Sequence, residues 1–151
     1  MIPALISLPG APWDVLPPGL HPATLAEVKE AYAYNPPRRA LFEGLVKLAL
    51  DLREAGSPAF YPDGSFVTAK PIPGDFDAIW DWGGVDETKL DPVFFDFEGK
   101  REAQKAKYGG EFFPLDDYFY RLFQTEKDTK LRKGILIVDL TADPMLIPGA
   151  S

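Results

Sequence analysis

Asp75 and Asp77, two positions apart, are the residues of this chain best placed to do chemistry, and a Gly64-Ser65 pair precedes them by about ten residues. Alternate side chains of a strand share a face, so the two aspartates would project together while Phe76 turns to the core. Two carboxylates on one face suit a hard cation. A glycine at 64 lets another group approach the main chain, and Ser65 offers a hydroxyl and an N–H to a phosphate oxygen. A phosphate chain would then bridge the Gly-Ser turn and a metal held by the aspartates, provided the two strands are neighbours. Lys70, the one cation between the two motifs, is a further candidate for phosphate contact.

The segments that must position these residues are legible in the pattern. Residues 57–62 read as a first core strand running into Asp63-Gly64-Ser65, and 66–74 holds about one helical turn before Pro71 and Pro73 stop it. Residues 75–82 form the second strand, with Asp81 in a turn at its end. Upstream, Thr24 and Glu27 make a capping box for a short helix that ends at Asn35-Pro36-Pro37. Leu41, Leu45, Leu48, Ala49 and Leu52 recur at helical spacing over 37–55, and Gly56 is placed as the stop. Arg38 and Arg39 near that helix start either face solvent or reach over a phosphate site.

Downstream, 92–97 is a short strand or an aromatic loop plugging the core, and 98–108 is a charged helix stopped by Gly109-Gly110. Residues 111–115 follow as a third strand and 116–124 as a helix. The charged loop 126–133 carries Lys127, Lys130, Arg132 and Lys133, a solvated turn or a contact for a phosphate or an RNA end. The apolar run 134–140, ending near Asp139, is the best candidate for a buried strand.

The constellation of Gly-Ser, a spacer and Asp-hydrophobic-Asp resembles the signature of the nucleotidyltransferase superfamily, the group related to DNA polymerase beta. The wider run from Pro22 to Leu140, with "GSFVTAKPIPGDFD", "AQKAKYGGEFF" and "KGILIVDL", resembles the small DUF6932 type within it. The resemblance implies an α+β fold, a mixed sheet of about four strands flanked by three to four helices. It also implies a third carboxylate on the strand after the helix that follows Asp-x-Asp. Glu111 matches that place, where relatives often carry Asp, and Asp139 is the rival.

On this reading Asp75, Asp77 and Glu111 or Asp139 hold one or two Mg²⁺ ions, with Mn²⁺ as a substitute. Gly64, Ser65, Lys70 and Lys133 contact a nucleoside triphosphate. The reaction implied moves a nucleoside monophosphate to a hydroxyl of a protein, an RNA or a small molecule, with pyrophosphate leaving.

Composition bounds the alternatives. The 151 residues suit one domain, and 46% apolar with 26% charged residues is ordinary for a globular protein. Cysteine is absent and His21 is the single histidine, so thiolate sites and a histidine triad are excluded. A formal charge of −7 argues against coating nucleic acid by bulk electrostatics. No apolar run has the length of a membrane span and the first residues lack a basic signal start, so a cytoplasmic location is expected. The proline-rich residues 1–22 are expected to form an arm packing on the domain or against a protein partner, residues 23–141 the domain, and 142–151 a loose Pro-Gly tail. Two other functions stay open. One is a catalytically silent binding module of a toxin–antitoxin or phage-defence pair, and the other is a phosphoesterase using the same acids with water.

Overall fold

The computed structural model describes residues 1–147. Its centre is a mixed sheet of five strands: β1 (Gly19–Pro22), β2 (Ala59–Asp63), β3 (Phe76–Trp80), β4 (Gly110–Pro114) and β5 (Gly134–Asp139). Their order across the sheet is β1-β5-β2-β3-β4, with β1 parallel to β5, β4 parallel to β3, and β2 antiparallel to both its neighbours. Among the described residues four α-helices accompany it: α1 (Leu25–Tyr32), α2 (Pro36–Ala55), α3 (Glu102–Tyr108) and α4 (Asp117–Phe123). The architecture is α+β, as the sequence led one to expect, with one strand more. That strand is the end of the proline-rich arm, where Leu20 pairs with Ile135 and Pro22 with Ile137. Proline cannot donate to a ladder, which confines such a segment to a sheet edge.

Strand alternation sorts the core into two layers. Phe60, Ala78, Phe112 and Leu136 face one way and meet Leu25, Val28, Leu45, Leu48 and Leu52 of α1 and α2. Tyr61, Ile79 and Ile135 face the other way and meet Phe123 of α4, with Phe113 and Phe119 packed alongside. Leu45, Leu48 and Leu52 are fully buried, and truncating any of them to alanine would cost about 2–5 kcal/mol.

Helix ends follow local chemistry. Thr24 caps α1 in the expected capping box, its Oγ1 accepting from Glu27 N at 3.1 Å while Glu27 Oε1 accepts from Thr24 N at 3.0 Å. Asn35 caps α2 by accepting from Arg38 N, and Gly56 ends that helix at φ 100. The charged helix expected over 98–108 is broken, because Gly99 and Arg101 both adopt left-handed backbone and α3 starts only at Glu102. The segment 92–97 is a single turn of 3₁₀ helix, Pro92–Phe95, with Phe94 buried as an aromatic plug.

After β5 the chain turns back to α1. Asp143 Oδ2 accepts from Leu25 N at 2.8 Å, and Leu146 is buried. Asp143 and Leu146 thus anchor the start of the expected tail, while Ala142, Pro144 and Met145 stay exposed; positions 148–151 of that tail lie outside the described residues. No helix among the described residues is long and apolar enough to cross a membrane.

Candidate active site

Register across three strands decides the site. Asp63 of β2 stands opposite Asp77 of β3, and Asp77 stands opposite Glu111 of β4. One pair further along, Tyr61, Ile79 and Phe113 occupy the same face. A carboxylate row therefore continues a hydrophobic row, beginning where the cover of α4 ends. Asp75 lies two residues before Asp77 and extends the acids along the same face.

The Gly-Ser turn closes over this row. Gly64 has φ +79, a conformation that a side chain disfavours, and a Cβ there would stand 3.0 Å from both Asp77 Cγ and Asp77 N. Only glycine lets the backbone lie so close to the Asp77 carboxylate. Ser65 opens the single 3₁₀ turn Ser65–Val67, and the Thr68 hydroxyl donates to Ser65 O at 2.6 Å.

Arg38 sets the course of the segment that follows. It is fully buried, and its Nη atoms donate to Tyr32 O at 3.0 Å, Phe66 O at 2.7 Å, Thr68 O at 2.8 Å and Lys70 O. The sequence offered two places for Arg38, solvent or a phosphate, and it takes neither. A guanidinium presents five donors in a fixed fork, which suits a ring of inward-turned carbonyls.

Each acid but one has a cation. Lys133 Nζ lies 2.7 Å from Asp63 Oδ1 and from Oδ2. Glu111 receives Arg101 Nε at 2.9 Å and Lys105 Nζ at 2.8 Å, and Lys105 also stands 3.7 Å from Asp75 Oδ2. Among the described residues Asp77 makes no ion pair. Its carboxyl is pushed up to about 7, by burial first and then by Asp75, Asp63 and Glu111. Burial lifts Asp63 to about 6 against the pull of Lys133. Asp75 is raised by burial and by Glu111, whereas Arg101 and Lys105 overcome burial and hold Glu111 below the usual carboxylate range. Like charges this close disfavour joint ionisation unless a cation joins them.

These groups line a cleft of about 870 Å³, within the range of ligand pockets. Gly64, Ser65, Lys70, Asp75, Asp77 and Glu111 all border it, so the fold gathers six of the expected site residues. Lys133 borders it as well, but it is engaged by Asp63 and is not a free contact. Asp139 is displaced from the role of metal ligand. It pairs with Ala59 at the far end of β2, and its carboxylate accepts from Thr141 N at 2.9 Å and Thr141 Oγ1 at 2.6 Å, a turn cap.

Sequence reasoning missed Asp63, Arg101 and Lys105. Asp63 was legible in principle, since it shares strand parity with Tyr61 and adjoins Gly64. The two cations depend on the left-handed break at Arg101, which periodicity does not announce.

The donor set fits a divalent cation only in part. Among the described residues no three His, Cys, Asp or Glu side chains converge to hold an ion as they stand. Asp75 and Asp77 nevertheless carry charge that one cation would offset, and Asp77, half-buried and without an ion pair among the described residues, is the group such an ion would relieve. The donors are oxygens, which suit Mg²⁺ or Mn²⁺. The fit is therefore to an ion on the Asp75–Asp77 side, with Glu111 joining only by leaving its two cations.

No curated protein and no solved structure matches the chain. Over residues 11–139 it matches the model described as "Family of unknown function (DUF6932)", and the chain belongs to that family.

Proposed function

We propose that this protein is a metal-dependent nucleotidyltransferase of the DNA polymerase beta-like superfamily, acting on a nucleoside triphosphate. The observation that carries the reading is the close approach of Gly64 to the Asp77 carboxylate within a row of acids. It puts a bare backbone turn, a hydroxyl and an unpaired carboxylate beside one another in one cleft.

Asp75 and Asp77 would hold Mg²⁺, with Glu111 as a third donor; the ion would neutralise phosphate charge and lower the pKa of an acceptor hydroxyl. The chain's own residues account for the rest. Ser65 and the Gly64 backbone receive a phosphate oxygen, and Lys70 on the cleft wall adds positive charge. Arg38 fixes the loop that presents them, and Lys133 neutralises Asp63 so that the row is not wholly anionic. The acceptor oxygen bonds to the α-phosphorus, its proton leaves to solvent or a carboxylate, and pyrophosphate departs.

A second reading, a catalytically silent binding module, is favoured by one observation. Glu111 is clamped by Arg101 and Lys105, which occupy the oxygens a second metal would need.

Incubating the protein with Mg²⁺ and α-labelled nucleoside triphosphates, with protein and RNA offered as acceptors, tests the proposal. Label on an acceptor, lost in a folded Asp77→Ala variant, is the expected result. Free labelled monophosphate would indicate the phosphoesterase instead, and no product of either kind would leave the binding module.

A further inference from the structure

Part of the cleft is not ionic, and it is built by the N-terminal segment. Ile6 and Val15 exchange backbone hydrogen bonds of 2.7 and 2.9 Å, closing residues 6–15 into a loop. The base of this loop is tied to the segment after the Gly-Ser turn, since Val15 bridges Thr68 and Ala69 N donates to Asp14 O at 3.0 Å. Its tip reaches the charged loop 126–133, where a Cβ on Gly10 would lie 3.4 Å from Thr129 Cγ2. The loop thus spans from the phosphate turn to the basic loop, and Pro12 and Trp13 border the cleft between them.

A second apolar wall comes from α4. Phe119, Leu122 and Phe123 border the same cleft, with Phe119 stacked on Phe113 at 4.4 Å between centroids and 14° between planes. Trp13 is 40% exposed and Leu122 47% exposed, so large apolar groups are left to water at the cleft. Lys70, Arg101, Lys127 and Lys130 border it too. A cleft with aromatic walls and a charged interior complements a ligand with a polyanionic end and a flat apolar end.

We propose that the 6–15 loop and α4 form a subsite for a planar aromatic ring, the nucleobase, with Trp13 as its specificity-determining wall. This rests on the nucleotidyltransferase reading for the nature of the anionic end. Stacking on an aromatic side chain discriminates rings from bare phosphate while tolerating several bases, because every base has a π-face.

Calorimetric titration of the full chain with Mg²⁺ and each of ATP, GTP, CTP and UTP, against inorganic tripolyphosphate, tests the subsite. At least one nucleotide should bind about tenfold or more tighter than tripolyphosphate. Trp13→Ala should erase that margin while shifting tripolyphosphate affinity less than twofold, and Trp13→Phe should keep most of it. Phe119→Leu reads the other wall without altering the 6–15 loop and should also narrow the margin. A wild-type protein without the margin overturns the proposal. So does a Trp13→Ala protein that retains it, or one that weakens both ligands equally. A margin that depends on Trp13 in a protein that transfers no label upholds the subsite and removes the transferase reading. Label transfer whose nucleotide KM is unmoved by Trp13→Ala does the reverse.

Discussion

Replacing Asp77 by asparagine should stabilise the metal-free protein, by an amount that depends on pH. The Asp77 carboxyl is raised from 3.8 to about 7 by burial and by three neighbouring acids. Below about pH 4 both folded and unfolded chains carry the proton, and Asp77 contributes nothing. Between pH 4 and 7 the unfolded chain releases it while the native chain keeps it, so native stability falls as pH rises. Above pH 7 the penalty is constant. At 1.36 kcal/mol per tenfold difference in proton affinity the full penalty is about 4 kcal/mol, and relaxation of the cleft would bring it to ~2 kcal/mol. For a chain of this length that is a melting-temperature gain of about 5 °C or more for Asp77→Asn at pH 8. The gain should shrink toward zero at pH 4.

The assay is urea or thermal unfolding of wild type and variant at several pH values in chelator, taking the difference at each pH. Acids that do not face Asp77 titrate alike in both proteins and cancel, and the coupling to Asp75, Asp63 and Glu111 is part of the difference read. A second titration adds Mg²⁺ at pH 8. Wild type should gain stability as the ion binds the native state, and Asp77→Asn should gain far less. An Asp77→Asn protein that is neutral or less stable at pH 8, or whose advantage is the same at pH 4 and pH 8, would refute the placing of Asp77 as a half-buried acid with no ion pair among the described residues.

Two other predictions concern the groups around it. Lys133→Met removes the one ion-pair partner that Asp63, a buried carboxylate, has among the described residues, and should cost about 3–5 kcal/mol at pH 8 where that acid is ionised. The loss should be smaller at pH 5, where Asp63 takes up its proton, and denaturation giving equal losses at the two values would contradict the pairing. Arg38→Met strands the carbonyls of Phe66, Thr68 and Lys70 in the interior and should cost about 3 kcal/mol or more. Hydrogen exchange should quicken over residues 65–70 before it does in β5, and a variant with unaltered exchange there would show that Arg38 does not hold the loop.

How much of this was legible beforehand differs by kind of feature. Helix α2 was, because Leu45, Leu48 and Leu52 repeat at 3.6-residue spacing and Gly56 takes the left-handed stop that only glycine adopts cheaply. The short helix after Thr24 was, because a capping box is a local hydrogen-bond exchange. The proline-rich start was harder. Its prolines forbid helix, yet nothing local says that residues 19–22 will find β5, which lies more than a hundred positions downstream. Arg38 was misjudged for a related reason: an arginine in a first helical turn ordinarily meets solvent, and the carbonyls that retain it come from a separate turn.

The sequence by itself determined which residue types could act. Carboxylates alternating around Phe76, a bare hydroxyl-bearing turn before them, and no cysteine confine the chemistry to oxygen donors and cations, and these are properties of composition and short-range spacing. Tertiary structure alone decided which acids meet. Strand register set Asp63 and Glu111 on either side of Asp77 and carried Asp139 to the opposite end of the sheet. Register is a property of pairs of strands, fixed by how two hydrophobic faces are buried together, and no single segment contains it.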